Sequence, residues 1–189
     1  MAAAEPIRDK RELKQFALHY LKLGKFRNYS LIVMGVHTAL RISDLLLLKW
    51  EDVYDFNKKQ FRMHLRLKEK KTGKQKIIAI NKDLLAALKL YFPRRRGIFI
   101  FANNRRNAAP ISRVQAYRII KTAAGVLKKG MSISCHSLRK TFGYHAWKSG
   151  VAVAVIMDIY NHSSYEITRR YLGISQDDRD KVYLKMALI

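Results

Sequence analysis

The sequence is poor in the residues that mark secreted, linker-rich and membrane proteins. Its 189 residues include one cysteine, Cys135, with nine glycines and three prolines. Cys135 cannot form an internal disulfide, which fits a reducing compartment, and it has no metal-ligand companions at the spacing of a structural zinc site. The longest wholly apolar run is the seven residues Val151–Met157, far below the about 20 that a transmembrane helix needs. Met1–Lys10 contains no signal-peptide core. These absences argue against secretion and membrane spanning.

Acidic residues are also scarce. The 14 Asp and Glu stand against 38 Lys and Arg, which gives a formal net charge of +24. A compact chain tolerates such self-repulsion best when it binds a polyanion, so the charge points to nucleic acid. A ribosomal-type scaffold or a membrane-surface protein would also be basic, but here the cations are spread along the chain and form no single amphipathic helix or tail.

The hydrophobic spacing predicts a mainly α (α+β) fold: one helical domain over residues 1–189 with a small antiparallel β-sheet. Alternation of apolar and basic residues predicts a strand over Phe61–Lys68, followed by a lysine-rich hairpin tip at Glu69–Lys74 and a returning strand at Gln75–Ile80. Asp9 and Ser112 are predicted N-caps. The predicted helices cover Asp9 to about Gly24, Phe26–Val36, Arg41–Leu48, Asp83–Phe92, Ser112–Leu127, Ser137–Ser149, Ala152–Tyr160, Ser164–Leu172 and Gln176–Leu188.

The chain lacks the sequence motifs that usually accompany metal-dependent phosphate chemistry. It has no glycine-rich phosphate loop and no Walker-type lysine. The acidic cluster Asp177, Asp178 and Asp180 is the best metal candidate, but it lies at a predicted helix start, where carboxylates are favoured by the helix dipole. We therefore expect no metal and no other cofactor. Nucleic-acid chemistry would then need a protein nucleophile surrounded by fixed cations.

Three segments supply such groups. Arg41 stands at the mouth of an apolar helix, with Asp44 three residues on and able to brace it. His136 and Arg139 are one helical turn apart. A second imidazole, His162, precedes Tyr171 by nine residues. Paired guanidinium groups match the geometry of phosphate oxygens in a way that lysine does not.

In this order, the segments resemble the tyrosine recombinase (phage integrase) family. That family has an arginine in a Gly-Leu-Arg-Ile-Ser-Glu-Leu pattern, a lysine at a hairpin turn, His-x-x-Arg, a Gly-His-Ser segment and a tyrosine nine residues later. The likeness runs from about Asp9 to Gln176 and covers all five features. The site residues that it implies are Arg41, Lys71, His136, Arg139, His162 and Tyr171.

The resemblance implies a DNA breaking-rejoining enzyme. Tyr171 would attack a DNA phosphate and form a 3'-phosphotyrosyl link, while Arg41, Arg139 and His162 hold the charged oxygens. Lys71 would protonate the leaving 5'-oxygen, and His136 would assist proton movement at the nucleophile. Lys71 is chosen among the neighbouring lysines because it directly precedes Thr72 and Gly73.

The implied function is site-specific recombination, by integration or excision, of double-stranded DNA belonging to a mobile element. Its partners would be DNA, other copies of the chain in a tetramer and possible accessory DNA-binding proteins, with no membrane. A bacterial or phage origin and a cytoplasmic, nucleoid-associated location follow. The alternatives are a type IB topoisomerase and a recombinase-related protein that binds DNA without cutting it.

Three departures from the family pattern matter. Ala39 replaces the usual glycine before Leu40 and Arg41, which is tolerable if its φ stays below zero. Asn161 replaces the glycine before His162, and asparagine enters the left-handed region more readily than other non-glycine residues. The family's N-terminal helical domain does not precede the matching region, which leaves open an isolated catalytic domain or a naturally short member.

The charge generates a prediction about salt. If about six phosphates are neutralised, the slope of log affinity for DNA against log salt concentration should be roughly −5, because each contact releases condensed counterions. Filter binding or fluorescence anisotropy over a range of NaCl concentrations measures this slope. A slope near zero would contradict the assignment of nucleic acid as the partner.

Overall fold

The computed structural model describes residues 4–70, 73–105, 107–128, 130–174 and 176–186. Most of them are helical and the strands are short and antiparallel, so the predicted fold class is confirmed. Within these ranges no helix is long and apolar enough to cross a bilayer. The elements are α1 (Lys10–Lys22), α2 (Phe26–Thr38), α3 (Ile42–Leu46), α4 (Trp50–Val53), β1 (Tyr54–Asp55), β2 (Gln60–Phe61), β3 (His64–Lys68), β4 (Gln75–Ala79), α5 (Lys82–Tyr91), α6 (Arg113–Ala124), α7 (Cys135–Lys148), α8 (Val153–Tyr160), α9 (Tyr165–Leu172) and α10 (Gln176–Lys185).

Both predicted N-caps are confirmed. The Asp9 carboxylate accepts the backbone N–H groups of Arg11 and Glu12 at 2.7 and 2.9 Å, and the Ser112 hydroxyl accepts that of Gln115 at 3.1 Å. Each bond satisfies a donor that has no partner within its own helix. Local sequence therefore determines where α1 and α6 begin.

The predicted strand over Phe61–Lys68 is wrong as a single element. Phe61 pairs with Tyr54 in the β1–β2 hairpin, whereas His64 begins β3 and pairs with Ala79 of β4. Met63, which the alternation places on the dry face, is 81% exposed. The strand breaks because the Phe61 ring packs against the Tyr54 ring at 5.1 Å between centroids, which ties it to a different hairpin.

Two predicted helix starts also shift. The helix expected over Arg41–Leu48 begins only at Ile42, with Arg41 as its extended N-cap, and ends at Leu46. Helix α7 begins at Cys135, two residues before the predicted start, because the Ser134 hydroxyl caps it. Arg41 thus lies just outside α3, at its N-terminal end.

Helix α2 organises the main core. It packs against α1, α5 and α7, and its apolar face contributes Leu31, Ile32 and Met34, all fully buried. The Ser30 hydroxyl donates to the carbonyl of Ala87 at 3.1 Å and joins α2 to α5. Because α2 is held along its length, the chain that leaves its C-terminus toward Arg41 starts from a fixed position.

A second, smaller core lies where α7, α8 and α9 meet. Its fully buried members are Ala39, Ile156, Tyr160 and Leu172. The Tyr160 hydroxyl donates to the backbone carbonyl of Arg139 at 2.6 Å. This approach requires a glycine at position 143, because a Cβ there would stand 2.2 Å from the Tyr160 hydroxyl oxygen.

We expect Gly143→Ala to destabilise the protein by about 1–3 kcal/mol, since the methyl group forces Tyr160 away from α7. Urea unfolding at neutral pH measures this. The matched control is Gly125→Ala, whose φ of −60° suits alanine and whose Cβ would meet only the Thr122 carbonyl at 3.2 Å. Equal stability of the two variants would contradict the close packing of Tyr160.

Candidate active site

The structure brings five of the six predicted site residues together. Arg41 caps α3, and His136 and Arg139 lie one turn apart on α7. His162 follows the left-handed residue that ends α8, and Tyr171 lies on α9. The sixth, Lys71, falls outside the described residues, so its place at the hairpin turn stays a prediction.

Tyr171 lies at the centre of this cluster and is partly exposed. Its ring centroid is 4.8 Å from that of His162 and 6.5 Å from that of His136. The Arg139 guanidinium carbon stands 5.7 Å from the centre of the ring, and the Lys140 ammonium 5.8 Å. Two imidazoles and two cations therefore surround the Tyr171 phenol and could contact a phosphate bound to it.

Arg139 is the most deeply buried cation of the site, with only 1% of its surface exposed. Its Nη2 donates to the carbonyl of Tyr160 at 2.7 Å, and its Nη1 donates to the carbonyl of Ala39. The guanidinium also stacks on the Tyr160 ring at 4.3 Å. Within the described ranges its Nε has no hydrogen-bond partner. Burial and the charge of Arg41 lower the pKa of Arg139.

Two left-handed residues precede functional side chains: Ala39 lies two residues before Arg41, and Asn161 directly precedes His162. For Asn161 this confirms the prediction, with φ 50° and ψ 46°. For Ala39 the condition of a negative φ is not met, because φ is 55°. Ala39 adopts it because the chain must turn sharply at the end of α2 while its carbonyl still faces Arg139, and alanine carries the steric cost that glycine avoids.

His162 is held in one orientation by two hydrogen bonds. Its Nδ1 lies 3.0 Å from the hydroxyl of the buried Thr168, and its Nε2 lies 3.4 Å from Nη2 of Arg139. Because a guanidinium only donates, Nε2 is the acceptor and the proton sits on Nδ1. Burial and the nearby Arg139 lower the pKa of His162 to about 4. A donor role for Nε2 toward phosphate requires the proton to move to that nitrogen.

The brace expected for Arg41 from Asp44 comes instead from Glu69. Arg41 Nη1 lies 3.2 Å from Oε2 of Glu69, a carboxylate with no exposed surface. Asp44 accepts the backbone N–H of Lys70 at 2.9 Å and so anchors the start of the hairpin loop. The Lys76 ammonium stands 3.6 Å from Oε1 of Glu69.

Glu69 and Lys76 are site residues that the sequence prediction missed. One signal was available, because Glu69 is the only carboxylate between Asp55 and Asp83, a stretch rich in lysine and arginine. A lone acid among many cations is a candidate partner for a buried arginine. Lys76 gave no such signal, since several lysines precede it.

The acidic cluster near the C-terminus has a structural role in this fold. Asp178 pairs with Lys148 and joins α10 to α7, and Asp180 accepts a hydrogen bond from Gln176 at 2.8 Å. In the part of the chain that the structure describes, no group of three His, Cys, Asp or Glu side chains is arranged to hold a metal ion.

Tyr171, two histidines and two arginines thus meet on a helical domain that carries small antiparallel hairpins. The sequence profile of the Phage integrase family matches residues 9–177. The chain belongs to that family, the tyrosine recombinases.

The chain is similar to named members of this family. The probable integrase/recombinase YoeC of Bacillus subtilis is 37% identical over 184 residues, which cover 97% of each chain. Tyrosine recombinase XerA of Pyrococcus furiosus is 30% identical over 154 residues, or 80% of this chain and 51% of XerA. The chain thus spans nearly all of one relative and about half of the other.

Solved structures show the same fold. A crystal structure of XerA recombinase superposes with a TM-score of 0.77 at 18% identity and covers all of this chain and 66% of XerA. XerH bound to its palindromic difH substrate, in a post-cleavage complex, gives a TM-score of 0.70 at 19% identity, over 96% of this chain and 53% of XerH. A lambda integrase dimer bound to a core site gives 0.69 at 18% identity, over 95% and 50%.

The low pKa of His162 predicts a pH-dependent loss of stability. Between about 6.5, the value for an unfolded chain, and about 4 the unfolded chain binds a proton that the folded protein excludes, so the free energy of unfolding falls as the pH drops through this interval. His162→Gln should lose less stability between pH 7 and pH 5 than the unsubstituted protein. Urea unfolding at both pH values measures the difference.

The control for this experiment is His64→Gln, because His64 is exposed on β3. It should lose as much stability as the unsubstituted protein. The remaining histidines are present in all three proteins. Equal losses in the His162→Gln and unsubstituted proteins would contradict the exclusion of the proton from His162.

Proposed function

We propose that this chain cuts and rejoins DNA strands through Tyr171 in site-specific recombination. The observation that carries the proposal is that His136, His162 and the Arg139 guanidinium all lie within 6.5 Å of the centre of the Tyr171 ring. The net charge of +24 supports a polyanionic substrate. The similar XerH and lambda integrase structures contain DNA.

In the proposed step, the Tyr171 oxygen forms a bond to phosphorus as the bond from phosphorus to the 5'-oxygen breaks. The phenolic proton passes toward His136, which is a competent acceptor because burial and the charge of Arg139 lower its pKa and keep it neutral. The leaving 5'-oxygen takes a proton from Lys71, as the family resemblance implies. Rejoining reverses these movements with the 5'-hydroxyl of the partner strand.

Arg41 and Arg139 stabilise the charge that develops on the non-bridging phosphate oxygens. The free donors support this role: in the described part of the chain, Nε of Arg139 has no partner and Arg41 bonds only through Nη1. His162 joins them once its proton lies on Nε2. The phosphotyrosyl bond conserves the energy of the phosphodiester, so rejoining needs no nucleotide.

The assembly follows from the same family analogy. In this proposal residues 1–189 act as a single catalytic domain, four copies pair two DNA sites, and accessory DNA-binding proteins can join the assembly. The chain then works with the nucleoid or with the DNA of a mobile element.

We expect Tyr171→Phe to fold and bind DNA like the unsubstituted protein and never to become covalently attached to it. Removal of a partly exposed hydroxyl costs only about 1 kcal/mol of stability, but it removes the nucleophile. The test mixes each protein with nicked duplexes carrying candidate sites, in EDTA, and resolves the products on a denaturing gel. A slower band containing the protein and the 3' side of the break reports the intermediate.

The matched control is Tyr165→Phe, which removes a hydroxyl from an exposed tyrosine on the same helix and should retain the band. Attachment of the Tyr171→Phe protein would identify another nucleophile. A band that requires added Mg²⁺ would overturn the metal-free mechanism. If the unsubstituted protein forms no band on any site, DNA binding without cleavage becomes the better description.

A further inference from the structure

Glu69 lies between two parts of the site that approach it from different directions. Its Oε2 accepts Nη1 of Arg41 at 3.2 Å and Nδ2 of Asn161 at 2.9 Å. Asn161 is the left-handed residue that directly precedes His162. One carboxylate oxygen therefore contacts the first arginine of the site and the turn that presents its second histidine.

We propose that Glu69 is a positioning residue, which fixes Arg41 and the Asn161–His162 turn relative to each other so that both meet the same phosphate. The inference rests on the proposed function. Glu69 touches no reacting atom in this scheme and acts through Arg41 and Asn161, which both contact its Oε2.

The location of Glu69 suits it to this task. Its side chain has no exposed surface, and its backbone closes the β3–β4 hairpin: its N–H donates to the carbonyl of Lys74 and its carbonyl accepts the N–H of Gly73, both at 2.9 Å. The carboxylate cannot swing out without opening the hairpin. Glu69 is thus a fixed point that contacts both Arg41 and the turn at Asn161.

The charge of Lys76 offsets the cost of burying the Glu69 carboxylate. Lys76 also forms a second link between the hairpin and α8. Its ammonium stands 3.6 Å from Oε1 of Glu69 and donates to the carbonyl of Ile159, near the C-terminal end of α8. A cation is favourable at that end of a helix. The hairpin therefore holds the α8–His162 turn twice, through Glu69 to Asn161 and through Lys76 to Ile159.

A rival role for Glu69 is that of a phosphate substitute, which occupies the arginine clamp until DNA displaces it. The geometry favours bracing over blocking. Glu69 engages only Nη1 of Arg41, and in the described ranges Nη2 and Nε of Arg41 have no partner, so a phosphate can bind while the brace persists. The Arg139 fork bonds to backbone carbonyls, and Glu69 acts on it through its charge.

The test measures the rate of covalent attachment to nicked DNA for the unsubstituted protein, Glu69→Gln, Arg41→Lys and the double variant. Glu69→Gln keeps the size and one carbonyl oxygen but removes the charge. We expect it to slow attachment by about 10- to 100-fold, the cost of a misplaced clamp, without weakening DNA binding. The control is Glu51→Gln, which breaks the exposed pair of Glu51 with Lys49 and should leave the rate unchanged.

The double variant separates positioning from general support of the fold. If Glu69 acts through Arg41, its substitution costs much less in the Arg41→Lys background, because the fork that it holds is already lost. A merely structural role costs the same factor in both backgrounds. Should Glu69→Gln fail to fold, the comparison is made with Glu69→Gln/Lys76→Met, which removes both buried charges.

Three results would overturn the proposal: attachment by Glu69→Gln at the unsubstituted rate, faster attachment, or a strictly additive double variant. The first two would leave Glu69 as a countercharge or a blocking group. If the unsubstituted protein itself forms no covalent complex, the proposed function fails and this inference falls with it. If the unsubstituted protein forms the covalent complex and only the Glu69→Gln variants give rates other than those expected, the recombinase function stands and the positioning role is lost.

Discussion

The arrangement of the site depends on how the buried charge of Arg139 is satisfied. A guanidinium with 1% of its surface exposed needs hydrogen-bond acceptors that the fold itself supplies. They are the carbonyls of Ala39 and Tyr160, which lie at the C-terminal ends of α2 and α8. Helix C-termini expose carbonyl oxygens and carry partial negative charge, so one cation can hold two helix ends. Arg139 thereby fixes where both chains leave their helices.

Each of these helix ends is followed by a left-handed residue and then by a functional side chain. Ala39 turns the chain toward Arg41, and Asn161 turns it toward His162. The left-handed cap is a common way to end a helix and redirect the chain sharply. Because the two turns start from carbonyls bonded to the same guanidinium, Arg41 and His162 are delivered to the same side of Arg139.

Such a concentration of positive charge needs compensation before DNA arrives. Arg41, Arg139 and Lys76 all act on His162, and together with burial they hold its pKa near 4 and keep the ring neutral. Glu69 opposes them, and it forms ion pairs with Arg41 and Lys76. The carboxylate belongs to the hairpin that leads toward Lys71. The hairpin, the clamp and the histidine turn are therefore one electrostatic unit.

The sequence by itself determined the fold class and most helices, because caps such as Asp9 and Ser112 and the helical spacing of apolar residues act within a few positions. It also predicted the six candidate site residues, five of which the described structure brings together. Tertiary structure decided the partners. Asp44 is three residues from Arg41, yet the brace comes from Glu69, 28 residues away, and Arg139 finds its acceptor at Ala39, 100 residues away. Which of several acids or carbonyls meets a buried cation depends on how the helices pack. The spacing of two residues along the chain does not encode the distance between them in the folded protein.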